Sequence, residues 1–205
     1  MSALDLAAIE TAAPNHDPFD YVIVPGLISR DALPAVHEDF PTIDKPGSYP
    51  LSQLSYGPRF DALLDELRAP SFAERVGAKL GIDLSDRPTM ITVRGQCRPS
   101  DGKIHTDSAG KLVTVLVYLN PSWEAPGGQL RLLRNEHDLE DYVAEVPPQE
   151  GTMIAFTCSD NAWHGHHSFE GQRRTIQLNW VRSRSYKMRE QVRHAISASV
   201  KKLTG

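Results

Sequence analysis

The sequence predicts an α+β fold in which N-terminal helices cover one face of a β-sandwich or open barrel. Three observations carry that expectation. Apolar residues recur at helical spacing through the first 88 residues, short β-branched runs separated by turns replace them from Met90 onward, and helical spacing returns after residue 183. Each element has one apolar face to bury, so helices followed by strands pack as layers around one core. At 205 residues, 40% of them hydrophobic, the chain can bury one substantial core and is short for two. A single domain over 1–205 is expected, divided into a helical support region (1–88), a β core (89–182) and a C-terminal helix (183–205).

The elements follow in order. After a polar leader, Tyr21-Val22-Ile23-Val24 is an apolar run closed by Pro25-Gly26, which reads as a strand and turn. A helix follows, with Ser29 as its N-cap, Leu33, Val36 and Phe40 at helical spacing, Pro34 tolerated in the first turns and Pro41 ending it. The segment from Pro41 to Pro58 holds four prolines, two glycines and three serines. It is a long loop for a compact domain, either a substrate-binding lid or a plain connector. Two helices come next, one carrying Phe60, Leu63, Leu64 and Leu67, the other Phe72, Val76 and Leu80 between a Ser71 cap and a Gly81 stop. Strands are expected at Met90–Val93, Leu112–Leu119, Gln129–Leu133, Thr152–Thr157 and Thr175–Val181, and a last helix over Tyr186–Leu203.

Composition narrows the function classes. A net charge of −4 gives no overall positive field, so nucleic acid is not the expected partner. The only cysteines are Cys97 and Cys158, no apolar run is long enough to cross a bilayer, and residues 1–14 lack a secretory leader; a cytoplasmic protein with free thiols and no membrane partner is expected. Acidic residues crowd the first 40 positions, opposed only by Arg30, whereas Arg182, Arg184, Lys187, Arg189, Arg193, Lys201 and Lys202 crowd the last 24 against Glu190. The two ends are either solvated helical faces lying near each other or, at the basic end, a docking surface for an acidic partner. Oligomeric state is not readable.

The chemistry concentrates at His105-Thr106-Asp107. Alternate residues of a strand share a face, so one short segment presents an imidazole and a carboxylate to one ion. Two histidines and a carboxylate leave three positions of an octahedral ion open, the arrangement in which non-haem Fe(II) enzymes hold a chelating cosubstrate and dioxygen. By itself His-x-Asp is weak evidence. It gains weight from the run Phe156 to His167, where an apolar strand and a polar turn lead to His164, and from Arg173 nine positions beyond.

From Arg94 to Val181, under half the chain, the order His105-Thr106-Asp107, Tyr118-Leu119-Asn120, Gly127-Gly128-Gln129-Leu130, His164 and Arg173 resembles the catalytic core of Fe(II)/2-oxoglutarate-dependent dioxygenases of the prolyl-4-hydroxylase-like branch. The resemblance implies a double-stranded β-helix (jelly-roll, cupin-like) core with the N-terminal helices packed on its major sheet. It implies His105, Asp107 and His164 as iron ligands, and Fe(II), 2-oxoglutarate and dioxygen as cofactors, with ascorbate supportive. The implied activity is hydroxylation of an aliphatic C–H in a prolyl or other side chain, or in a small metabolite, with succinate and carbon dioxide released. Related halogenases lack the carboxylate, so Asp107 favours hydroxylation. Tyr118 would meet the distal carboxylate of 2-oxoglutarate.

His164 and His166 also form a His-x-His pair of the kind zinc enzymes use, so a cupin-like zinc module without oxygenase turnover is the alternative. Strand alternation favours Arg173 over Arg174 as the 2-oxoglutarate anchor: Arg173, Thr175, Gln177 and Asn179 make a polar face, and Ile176, Leu178 and Trp180 an apolar one with Arg174. A guanidinium fork binds a carboxylate bidentately, which lysine cannot. The same alternation sets Thr114, Leu116 and Tyr118 against Val113, Val115 and Val117, so Leu116, Leu130 and Thr175 complete the expected cosubstrate pocket. The chain departs from the prolyl-hydroxylase pattern at Val93-Arg94-Gly95-Gln96-Cys97-Arg98, where a tyrosine is usual; Arg94 or Arg98 either recognises an anionic group of the substrate or is surface charge.

Overall fold

The computed structural model describes residues 2–190. Its N-terminal part contains α1 (Leu6–Thr11), β1 (Pro14–Asn15), β2 (Tyr21–Val24), α2 (Leu33–Glu38), β3 (Tyr49–Pro50), α3 (Pro58–Arg68) and α4 (Pro70–Leu80). The strands β4 (Thr89–Cys97), β5 (Lys111–Tyr118), β6 (Leu130–Leu133), β7 (Tyr142–Val146), β8 (Met153–Thr157), β9 (His164–Gly165) and β10 (Gly171–Val181) follow. Residues 184–190 are helical, and the remainder of the expected final helix, with Arg193, Lys201 and Lys202, lies outside the described residues.

Among the described residues ten strands make two antiparallel sheets, a large one ordered β1-β2-β8-β5-β10-β4-β3 and a small one ordered β7-β6-β9. This is the double-stranded β-helix expected for the core, with helices on the outer face of its major sheet. Strand alternation sorts the two faces. Val113, Val115, Val117, Ile176, Leu178 and Trp180 pack with Phe60, Leu63, Leu64, Leu67, Phe72 and Val76 of α3 and α4 in one core cluster. On the opposite face Tyr118, Ile154 and Phe156 meet Leu130, Leu132 and Val146 of the small sheet in a second. Burying each such side chain contributes roughly 1.5–3 kcal/mol, so the helix-covered face holds most of the fold's apolar stabilisation. Phe72 stacks on Trp180, ring centroids 6.0 Å apart, and fixes α4 against β10.

Several local expectations are corrected. Ser29 does not cap α2: the helix begins after Ala32, and only the Ser29 carbonyl takes part, accepting from Ala32 and Leu33. Nor does Ser71 cap α4, which starts at Pro70; proline has no N–H to satisfy and its fixed φ suits the first turn. Gly81 does stop α4, at φ +65, where a β-carbon would be strained. The polar leader contains α1, capped by Asp5 accepting from Ala7 and Ala8, and β7 was not foreseen.

The segment 41–58 is neither a free lid nor a bare connector. Tyr49 pairs with Val93 and Pro50 with Thr92, so β3 forms the edge of the large sheet, where a proline costs no ladder bond. Ile43 lies over Gly95 so closely that a β-carbon there would come within 2.6 Å of it. The proline-rich segment is thereby anchored to β4, whose Arg94 faces the site.

Candidate active site

His105 lies in an irregular segment before β5, and a reciprocal pair of backbone hydrogen bonds with His164, both 3.0 Å, ties it to β9. That bridge brings residues 59 positions apart in sequence to a ring-centroid separation of 4.3 Å. Asp107 follows two residues later. One ligand atom each from His105, Asp107 and His164 lies within 4.8 Å of the others. Each histidine also has its orientation set from behind, His105 Nδ1 by the Lys103 carbonyl at 2.8 Å and His164 Nδ1 by the Ala162 carbonyl at 2.9 Å. With Nδ1–H donating to a carbonyl, Nε2 keeps its lone pair for a metal. Burial, reinforced by His105, pushes His164 down to about 4, so its imidazole is neutral at pH 7.

Asp107 is nearly enclosed. Burial pushes its pKa up, but the Lys111 ammonium, 2.6 Å from Oδ1, together with His164 and the Thr114 hydroxyl on Oδ2, outweighs burial and holds it below the usual carboxylate range. Thr114 is itself fixed by Asn179, whose amide donates to Oγ1 at 2.6 Å. The Cys158 thiol, 3.9 Å from Asp107 Oδ2, is pushed up to about 12 by burial and then by that carboxylate, and stays protonated.

Beyond the cluster a cavity of about 110 Å³ runs between the sheets, lined among others by Leu116, Leu130, Phe156, His166, Arg173, Thr175 and Gln177. At its buried end Arg173, 6% exposed, donates through Nε to the Gly128 carbonyl at 2.9 Å and through an Nη to the Tyr118 hydroxyl at 3.5 Å. Among the described residues no carboxylate lies in salt-bridge range of it. Thr175 Oγ1 is buried with no hydrogen-bond partner. Burial raises the pKa of Tyr118 against the opposing pull of Arg173, so the phenol keeps its proton for an acceptor. A buried cation and an unpaired hydroxyl are both costly unless a ligand satisfies them, and a carboxylate satisfies both.

Residues 96–182 match the model of the 2OG-Fe(II) oxygenase superfamily. No match was found among curated proteins. Among solved structures, the chain is similar to a Pseudomonas putida prolyl-4-hydroxylase, with 16% identity, 87% of this chain and 94% of that one covered, and a TM-score of 0.54. It is similar to the viral collagen prolyl hydroxylase of Paramecium bursaria Chlorella virus-1 in its 2-oxoglutarate complex, with 17% identity, 82% and 97% covered, and a TM-score of 0.51. HygX from Streptomyces hygroscopicus, with nickel and 2-oxoglutarate bound, matches at 13% identity, 82% and 85% covered, TM-score 0.54. At these identities the likeness is one of fold. The family whose model residues 96–182 match is one that uses Fe(II), 2-oxoglutarate and dioxygen.

In this chain the residues expected from the sequence converge: His105, Asp107 and His164 on one point, and Arg173, Tyr118, Leu116, Leu130 and Thr175 around the adjoining cavity. Arg174 turns the other way, its guanidinium 5.0 Å from the centre of the Phe40 ring. Nothing supports the zinc alternative. The cluster draws on His105 and Asp107 rather than His166, which lines the cavity with Nδ1 on the His167 carbonyl and is pushed down to about 4 by burial and then by Arg173. Sequence reasoning missed the residues that hold Asp107, namely Lys111, Thr114 and Asn179. The alternation that set Thr114 on the Tyr118 face was visible; which acceptor it would find was not. Asn120 of the Tyr-Leu-Asn run is a brace, donating to the Pro148 carbonyl at 2.5 Å and accepting from the Arg174 N–H at 2.7 Å. Among the described residues no helix is long and apolar enough to cross a membrane.

Proposed function

We propose that the chain is an Fe(II)- and 2-oxoglutarate-dependent hydroxylase of an aliphatic C–H bond, in an amino-acid side chain or a small metabolite. One observation carries the reading: two imidazoles and a carboxylate converge on one point beside a buried guanidinium that has no acidic partner among the described residues. The donor set fits a divalent ion of the kind that leaves open positions, and the unpaired Thr175 hydroxyl and Arg173 fit a carboxylate.

His105, Asp107 and His164 would hold the iron. Arg173, Tyr118 and Thr175 would take the distal carboxylate of 2-oxoglutarate, with Leu116 and Leu130 flanking its carbon chain. Bound together, iron and cosubstrate supply the oxidising chemistry, in which dioxygen and 2-oxoglutarate are consumed, succinate and carbon dioxide are released and a hydroxyl is delivered to the substrate carbon. The protein's own part is orientation and dryness. The carbonyls of Lys103 and Ala162 keep both Nε2 lone pairs aimed inward, and Lys111 with Thr114 fixes the carboxylate plane of Asp107. Arg173 would orient the cosubstrate, and Leu130 and Phe156 give the cavity an apolar wall. A carboxylate at position 107 fills the coordination place that a halide would need, which supports hydroxylation as the outcome.

The test is succinate release from 2-oxoglutarate by the purified chain with Fe(II) and ascorbate. Slow turnover is expected without added substrate. Asp107→Ala should lower it by more than the roughly 10–100-fold typical of losing an outer partner of a metal ligand, with the fold retained by circular dichroism. Unchanged turnover in that variant would end the reading.

A further inference from the structure

Arg94 is the cation that the cosubstrate leaves unused. It projects from β4 into the same cavity as His105, His166 and Arg173, close enough to Arg173 for the two guanidiniums to repel, yet 36% of its side-chain surface is open to solvent. Its orientation is fixed at one atom only: Nε donates to the Ser48 hydroxyl at 2.8 Å, and Ser48 stands in the anchored segment beside β3. Neither Nη atom has a partner at hydrogen-bond distance among the described residues. The nearest acid, Asp101, is 3.8 Å from Nη1 and is already engaged by Arg98, whose backbone N–H and Nε both reach it at 3.2 Å. Arg98 itself is 55% exposed and does not line the cavity.

We propose that Arg94 is the receptor for a carboxylate of the substrate, so that the oxygenase acts on an amino acid or other small molecule bearing a free carboxylate near the carbon it oxidises. The inference rests on the cofactor assignment above and narrows the substrate class. With 2-oxoglutarate on Arg173 and Asp107 on Lys111 and the metal, Arg94 is left with a single long ion pair, 3.8 Å to an Asp101 that Arg98 already hydrogen-bonds. Ser48 holds the guanidinium by its Nε corner, and neither Nη atom is hydrogen-bonded among the described residues, so both remain as donors with which a fork can grip a carboxylate. A residue that only stapled the edge strand would not need to keep both Nη atoms without a hydrogen bond. The cavity is small, about 110 Å³, which favours a substrate that enters by a small end or lies across the mouth with its carboxylate on Arg94.

Binding can be read without turnover. Wild type, Arg94→Met and Arg98→Met, each loaded with Ni(II) and 2-oxoglutarate, are titrated by saturation-transfer NMR with the N-acetylated common L-amino acids, their carboxamides and inorganic phosphate. At least one carboxylate should bind the wild type and Arg98→Met, its carboxamide should bind roughly 10- to 100-fold more weakly, and Arg94→Met should erase that difference. Equal binding of carboxamides, a preference that survives Arg94→Met, no carboxylate binding, or tighter binding of phosphate would each overturn the proposal. So would an Arg94→Met variant that loses 2-oxoglutarate as severely as Arg173→Met, because Arg94 would then belong to the cosubstrate site. Failure of the wild type to hold Ni(II) and 2-oxoglutarate is a separate result, which removes the cofactor assignment and this proposal with it.

Discussion

On the helix side of the large sheet, Val113, Val115, Val117, Ile176, Leu178 and Trp180 interlock with the apolar faces of α3 and α4; on the cavity side, the intervening residues of the same two strands are Thr114, Leu116, Tyr118, Arg173, Thr175, Gln177 and Asn179. Both faces are largely buried, and they spend burial in opposite ways. The first removes hydrocarbon from water and leaves nothing unpaired, which is stabilising. The second buries a guanidinium and a hydroxyl that have, among the described residues, no carboxylate and no hydrogen-bond partner respectively, an arrangement that is destabilising until a ligand arrives. One backbone with a two-residue period therefore separates what holds the fold from what does the chemistry.

Substitutions on the two faces should separate stability from cosubstrate binding. The largest expected effect is on the packed face. Trp180→Ala leaves a cavity against Phe72 and should cost about 3–5 kcal/mol in chemical denaturation, while whatever protein remains folded binds 2-oxoglutarate normally. A variant with full stability would mean that α4 is held by other contacts. Next comes the anchor. Arg173→Met should raise the KM for 2-oxoglutarate roughly 10- to 100-fold and Arg174→Met should leave it nearly unchanged, since a charge-assisted hydrogen bond contributes about 1.5–3 kcal/mol and only Arg173 faces the cavity. The opposite ranking would exchange their roles. The smallest effect sharpens the contrast most. Thr175→Val removes an unpaired buried hydroxyl, so thermal stability should stay level or rise slightly, while affinity for 2-oxoglutarate falls by the roughly 1 kcal/mol of one hydrogen bond. A marked loss of stability there would show that the hydroxyl already has a partner.

Long periodic elements were legible from the chain alone. The apolar spacing of α3 and α4, the alternation along β5 and β10 and the His-x-Asp segment each follow from a few consecutive residues whose side-chain directions are set by local geometry. The edge strand β3 was hidden by the prolines and serines around it, since an edge tolerates residues that an interior strand does not. The strand β7 was missed because most of its residues remain in contact with water and give no apolar signal. Helix α1 has six residues, too few for a period to show.

For the site, the sequence by itself determined which side chains are capable of the chemistry and which neighbours share a face, because residue type and a two-residue repeat are local properties. It could not determine that the His105 backbone would bond to that of His164, that Lys111 and Thr114 would take the two oxygens of Asp107, or that Arg94 would be held at Nε by Ser48. Those pairings join residues brought together by chain closure, and a hydrogen bond depends on distance and direction in space, which no local pattern contains.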